Sequence, residues 1–389
     1  MGSNRLSYFF SQPHQPFFLL GVINAIVIMA LFILAYRGII EADALRLHGY
    51  GMIFAVFSNF FYGFTYTTFP RFSARPPIET RRILRVWLLN FLSSVSLYVS
   101  LLLPEAFYAA TIFMALSFAL TIRNFLVIYT EAPEPKGDQY WIIVALGMGA
   151  VANLLYLLAA IPCQGCRTGV FAFWAVGVGV WLYLMFLPIV IGFRMVPIFS
   201  GAMDYAKSHS FHGIVFALLF SHVIVEAFYP GALFFVDLLL AFWLGREILK
   251  ASLPFPHSDP LLWSLHLALF WLPLGLFVGA LSDFFEARFA VASLRLEIHL
   301  LALGFLTTIL VAFGTRVTLG HGGMTLQVGP WGVAIFWMTQ IVVLGRFLFS
   351  LAAVDGHIFP WFDISAMLWI ALWVGWLVLY GRILIFGRE

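Results

Sequence analysis

The sequence predicts an all-α, polytopic membrane helix bundle, on three observations. Of 389 residues, 62% are hydrophobic and only 10% are charged, whereas soluble domains carry about 25% charged residues. Apolar runs of roughly 20 residues, enough helix to cross a hydrocarbon core of about 30 Å, recur along nearly the whole chain. Lysine and arginine gather in alternate connections, as the positive-inside rule requires.

The runs give about twelve transmembrane helices, near residues 17–36, 48–69, 83–103, 107–129, 140–161, 169–196, 211–229, 232–249, 261–281, 288–313, 331–351 and 364–385. The first is long, has a nearly uncharged N-terminal flank and is followed by no small-residue cleavage site, so it reads as a helix and not as a signal peptide. The loops after even-numbered helices hold Arg71, Arg75, Arg81, Arg82, Arg85, Lys136, Arg194, Lys207, Arg246, Lys250, Arg316 and Arg382, while the other side holds only Arg37, Arg46, Arg167 and Arg288. That asymmetry predicts an even number of spans with both termini cytoplasmic. The richest basic block, residues 71–85, reads as a topology anchor against anionic lipid and asks for no nucleic acid. No polar connection is long enough to fold alone, which predicts a single transmembrane domain over residues 1–389 with membrane lipid around it. Cys163 and Cys166 form one CxxC followed by Arg167, so c-type haem attachment is excluded. A disulfide in an outer loop is the plain reading, with redox or metal roles beside it.

Ionisable groups at membrane depth cost a few kcal/mol unless paired, ligated or hydrated, roughly 2.5–3.5 kcal/mol on insertion scales. Histidine dominates them: His48 on the second helix, His212 and His222 on the seventh, His266 on the ninth and His299 on the tenth. At about 1.5 Å per residue, His222 and His299 are expected near the midplane, facing one another. Any one of them alone reads as a hydrogen-bonded bundle residue; together they suit haem iron or copper, for which imidazole is a standard ligand. Glu226 lies one turn beyond His222 and Glu297 two residues before His299, and these two carboxylates are the candidates for proton delivery. Arg46 and Arg295 are expected near the outer face, where guanidinium forks can meet the carboxylate arms of a haem. Arg123 and Arg346 are expected to snorkel from helix ends. A secondary transporter using the same buried histidines and Glu226 is the rival reading.

The stretch HLLALGFLTTILVAFGTRVTLGHGG resembles the signature of the NnrS family: His299, a small-residue helix, then T-R-x-x-L-G-H-x-G at Thr315, Arg316, Leu319, Gly320, His321 and Gly323. QPFFLL at Gln15, GFRMVPIF at Gly192 and the helix around His266 fall in the family's order. The family's second helix opens W-H-x-H-E-M; this chain reads LHGYGM, keeping His48 and Met52 but placing Tyr50 and Gly51 where the family has histidine and glutamate. The resemblance implies a multi-pass protein of the cell inner membrane that holds haem b and copper, serves nitric oxide metabolism, nitrosative stress protection or denitrification, and draws on an electron donor if it reduces the gas. The replacements in the second helix remove two groups that suit copper. The architecture also resembles haem-copper oxidases and nitric oxide reductases, whose ligands sit on helices two and ten. That resemblance implies His48 and His299 as haem ligands, with His222 and His266 next, and Tyr50 assisting proton delivery. Arg316, Gly320 and His321 carry the motif without an assigned role.

Overall fold

A backbone N–H or C=O in hydrocarbon finds no water, so a lipid-embedded chain closes its hydrogen bonds inside helices. The computed structural model describes residues 8–162, 168–202, 204–289, 294–354, 356 and 358–388, and among them there is no strand. Cys163 and Cys166, with the disulfide expected there, lie outside the described residues. The helices are α1 (His14–Tyr36), α2 (44–72), α3 (Thr80–Val99), α4 (Ala106–Glu131), α5 (Gly137–Ala160), α6 (Thr168–Phe199), α7 (Phe211–Phe228), α8 (Leu233–Ala251), α9 (Pro260–Phe289), α10 (Leu296–His321), α11 (Pro330–Val354) and α12 (Ile358–Phe386).

All twelve expected spans are therefore helices, and the chain is a multi-pass membrane protein. Ten of the described helices are long and apolar enough to cross a membrane. The other two, α2 and α8, are less apolar for different reasons. Residues 50–70 of α2 are all buried, so its serines, threonines, tyrosines and Asn59 meet protein and not lipid. Helix α8 carries Asp237, Arg246, Glu247 and Lys250.

One boundary differs from expectation. Arg288 belongs to the end of α9, and α10 starts only at Leu296. Leu294 and Arg295 have φ of 53° and 56°, the left-handed region, which costs an L-residue about 1–2 kcal/mol and which a right-handed helix cannot pass through. His299 consequently lies in the first turn of α10, not near the middle of a span.

Contacts divide the chain into two units. Unit 1 takes the residues up to Leu187, then Thr318–Met324 and the chain from Tyr380 onward; unit 2 takes Pro188–Val317 and Thr325–Leu379. Within unit 1 the Tyr8 hydroxyl donates to the Ile383 carbonyl at 3.4 Å, and the Arg388 N–H donates to the Gly322 carbonyl at 3.1 Å. The start of the chain, the end of α10 and the end of α12 thus meet at one end of unit 1, as an even helix count demands.

Three helices contain a π-helical stretch: Gly51–Phe57 in α2, Val178–Met185 in α6 and Leu301–Thr307 in α10. A π turn shifts hydrogen bonds from i−4 to i−5 and leaves carbonyls poorly served. Side chains serve them here. Ser58 donates to the Ile53 carbonyl at 2.8 Å, Thr307 to Ala302 at 2.7 Å and Thr308 to Leu303 at 3.3 Å, each reaching back five residues. The Ala55 carbonyl receives both Asn59 and Asn24, the latter from α1, at 2.7 Å each. In unit 1 the Tyr183 hydroxyl donates to Ser58 at 2.9 Å, joining the π stretches of α6 and α2. In unit 2 the stretch in α10 presses on α9: a Cβ on Gly304 falls 2.4 Å from the Trp271 ring. That indole is held in turn by Gln340 of α11 at 2.8 Å.

Because Trp271 cannot swing away without losing Gln340, Gly304→Ala is expected to destabilise the protein by about 1–3 kcal/mol, as overpacking does. Gly147→Ala, where nothing lies within 4 Å of the added carbon, leaves stability unchanged or raised. Thermal unfolding in detergent checks both, and equal midpoints for the two variants would contradict the close α9–α10 approach.

Candidate cofactor and proton site

Unit 2 brings several ionisable side chains together toward the ends of α7, α9 and α11 and the starts of α8 and α10. On α7, His222 sits 2.6 Å through Nδ1 from Asp237 Oδ1 of α8, and both side chains are buried. A charged carboxylate can only accept, so with Asp237 ionised the Nδ1–H of His222 donates to it. The other ring nitrogen is 3.8 Å from Glu226, one turn further along α7. Glu226 also pairs with Arg295, whose left-handed backbone turns the chain into α10. Burial works against the Arg295 charge, but the Glu226 carboxylate outweighs it and holds the guanidinium's pKa above its ordinary value.

Two more carboxylates complete the group. Glu297, 3% exposed, lies within electrostatic reach of Arg295, His222 and Glu226. Asp283 of α9 feels Glu297, Asp237 and Glu226. Gly279 permits this approach, since a Cβ there falls 2.5 Å from the Glu297 Cβ. Asp237, Asp283 and Glu297 each keep one buried carboxylate oxygen without a hydrogen-bond donor. Four carboxylates, Glu226, Asp237, Asp283 and Glu297, thus share these helix ends with Arg295 and His222. They form one cluster of buried ionisable groups.

His299 stands beside it. Its Nδ1 lies 2.7 Å from the Arg295 carbonyl, which can only accept, and 3.2 Å from Nη2 of Arg346, which can only donate, so this nitrogen sits between a proton acceptor and a proton donor. With its proton on Nδ1 against the carbonyl, the ring would have the orientation found in ligating histidines. Arg346 of α11 approaches the same ring at 3.2 Å and donates to the Leu294 carbonyl and the Ser350 hydroxyl, both at 2.5 Å. It does not snorkel: it is buried and braces the start of α10.

The remaining expected residues are placed elsewhere. His266 donates from Nδ1 to the Pro254 carbonyl at 2.8 Å and faces Ser200 at 2.6 Å through Nε2, so both ring nitrogens are engaged in packing α9. His48, Arg46 and Tyr50 belong to unit 1. The His48 ring stacks on Phe32 with centroids 4.3 Å apart. Arg46 pairs with Asp43 at 3.7 Å and lies 4.9 Å over the Phe107 ring. Tyr50 is wholly buried, with its hydroxyl donating to Asn153 at 3.1 Å among Tyr156, Phe107 and Phe54. A Cβ on Gly51 falls 2.9 Å from the Ile28 side chain, so apolar packing fills the place where the family carries a glutamate. Copper does not fit at these two positions. Among the described residues, no three of His, Cys, Asp and Glu converge as a metal site.

The motif at the end of α10 is largely architectural. Thr315 accepts from the Trp376 indole at 3.0 Å, and Arg316 lies 4.3 Å over the Phe199 ring. The Met324 N–H reaches back to Leu319 at 2.9 Å and the Gly323 N–H to Gly320 at 3.4 Å, with Gly323 at φ +71°, a glycine-closed helix end. His321 meets His14, which sequence reasoning passed over although it directly precedes the QPFFLL stretch. Asp237 was also passed over; a lone carboxylate inside an apolar run was its signal.

The sequence model of the family described as NnrS protein matches residues 8–388. No curated protein matches the chain.

Removing one partner of a buried pair typically costs about 3–5 kcal/mol, mostly through the group left behind. Asp237→Ala and His222→Phe are each expected to destabilise strongly, and the double variant to lose clearly less than their sum. Unfolding midpoints of the four proteins test this; strictly additive losses would mean that the two side chains do not interact.

Proposed function

The chain belongs to the NnrS family, membrane proteins linked to the nitric oxide response, and on that premise we propose that it is a haem-binding protein of the cell inner membrane that captures nitric oxide. The observation that carries the reading is His299 at the start of α10, with Nδ1 2.7 Å from the Arg295 carbonyl and the Arg346 guanidinium 3.2 Å away. An imidazole beside Arg346 and four residues from Arg295 suits haem b, which needs a ligating base and cations for its carboxylate arms. When bound, haem supplies an iron with an open or displaceable position at which a small, neutral, lipid-soluble gas coordinates.

The protein's own groups do the rest. His299 would supply an imidazole nitrogen, and the half-exposed Arg295 offers donors that Glu226 leaves over. Capture needs no proton. Reduction of two nitric oxide molecules to nitrous oxide and water takes up two electrons and two protons; a one-electron donor protein would bring the electrons. Glu226 and Glu297, with His222, Asp237 and Asp283, hold protons beside His299 and reload through the outer end of unit 2. Tyr50, bonded to Asn153 in unit 1, orders the interior there. His48 remains the second ligand candidate, and no role is drawn for copper at Tyr50 and Gly51.

The buried acid cluster also suits a proton-coupled transporter, which is the second reading. Purified protein is expected to show a Soret band that shifts when nitric oxide is added to the reduced sample, with iron present by metal analysis. His299→Ala is expected to abolish or displace that band. An unchanged spectrum in this variant would sink the ligand assignment, and a colourless sample that regains no band with added haem but moves a solute across liposomes would favour transport.

A further inference from the structure

One face of unit 1 carries arginines that neither the acid cluster nor the haem reading uses. Arg81 and Arg85 stand one turn apart at the start of α3, and Arg123 stands on α4, eight residues before that helix ends at Glu131. All three are exposed. At about 1.5 Å per residue, Arg123 lies about 12 Å inside the end of its helix. A guanidinium turned to hydrocarbon at such a depth is costly unless it reaches water or an anion.

Two antiparallel contacts set the level of Arg123 against α3. The Asn90 amide donates to the Ser117 hydroxyl at 2.7 Å, and the Ser93 hydroxyl to the Ala110 carbonyl at 2.9 Å. Counting outward from these pairs along both helices brings Arg123 level with Arg81, to about one turn. Thr121 and Phe125 fix the direction in which α4 faces. Both are buried, Thr121 accepting from the Tyr66 hydroxyl at 3.1 Å and Phe125 stacking on Phe69 at 4.2 Å. Arg123, between them in sequence, therefore points away from the protein.

The acids nearby are already taken: Glu131 pairs with Arg75 at 2.9 Å and Glu79 with Arg82 at 3.2 Å. Toward the middle of the span both exposed faces become apolar, with Leu88, Val95 and Val99 on α3 and Leu116 and Ile112 on α4.

We propose that Arg81, Arg85 and Arg123 hold the phosphate headgroup of an anionic phospholipid, whose acyl chains lie along the apolar faces of α3 and α4. Charge and depth select this occupant. Guanidinium forks match phosphate oxygens, and basic clusters between helices at the membrane surface take anionic headgroups. A lipid anchored in the bilayer delivers its phosphate at the depth that Arg123 holds, whereas a soluble anion would have to leave water to reach it. The site is discrete, because Arg123 lies on another helix than the basic block of residues 71–85 and cannot serve as part of a surface anchor.

The experiment uses full-length protein in detergent, exchanged against phosphatidylglycerol or phosphatidylcholine, with retained lipid read by native mass spectrometry and affinity by titration of a fluorescent phosphatidylglycerol. Wild type is expected to retain phosphatidylglycerol in preference to phosphatidylcholine. Arg81→Gln, Arg85→Gln and Arg123→Leu are each expected to weaken binding about 5-fold, and the triple variant about 100-fold. Arg388→Gln removes the same charge at the end of α12 and is expected to leave affinity unchanged. Size-exclusion profiles and circular dichroism confirm folding, which leucine at position 123 favours because it suits hydrocarbon. Equal affinity in wild type and the triple variant overturns the proposal, as does an equal loss in Arg388→Gln, which would mark diffuse attraction. Stronger displacement of the lipid by inorganic phosphate than by chloride at equal ionic strength would assign the arginines to a soluble anion. A changed oligomeric mass in the triple variant, with lipid retained, would assign the face to a second copy, and either result also overturns the proposal. The haem spectrum is read on the same samples and is expected not to change, so this site and the His299 reading fail separately.

Discussion

The constraint on which the rest depends is that each backbone carbonyl at membrane depth must find a donor inside the protein. Ordinary α-helix meets it automatically. The three helices with π stretches do not, and they are built into the interior: residues 50–70 are wholly buried, as is most of α6 and α10. Ser58, Thr307, Thr308, Asn24 and Asn59 then become structural necessities, since each supplies a donor where the widened turn withholds one. The same wide turns rotate the helix beyond them, so that α2 and α10 leave their π stretches with a different face inward. His48 and His299 both stand just before such a stretch, where a local change of pitch re-aims side chains without breaking the helix.

A second constraint is charge. Glu226, Asp237, Asp283 and Glu297 share the end of unit 2 with Arg295, His222, His299 and Arg346, and buried charge persists only when compensated. The left-handed residues Leu294 and Arg295 set this balance. They delay the start of α10, bring Arg295 to Glu226, and expose the two carbonyls that hold His299 and Arg346. Backbone strain and electrostatics are thus the same feature at this site.

Much of the fold was legible in the sequence because length and hydropathy report directly on lipid. All twelve helices were, and so was the pairing of His222 with Glu226, because a spacing of four residues is a local property of helices. The start of α10 was not: residues 288–295 are apolar enough to continue a helix, and nothing in composition announces two consecutive left-handed residues. Asp237 and Arg346 escaped for another reason. Their partners lie on different helices, and hydropathy says which residues avoid water but not which helix faces which. His14 joined His321 across more than three hundred residues of sequence, a distance over which only coordinates speak.

The route of the chain through unit 1 bears on biogenesis. Its framework is laid down by α1 to α5, yet Gly322 and Arg388, whose backbones clasp each other, follow most of unit 2 along the chain. A ribosome delivering this protein would therefore insert most helices before that half can be finished, and the incomplete half must wait in the bilayer with a face still open. Any factor that shields nascent membrane proteins has its longest task here, and a disturbance of the end of α12 would be felt where Tyr8 leads into α1.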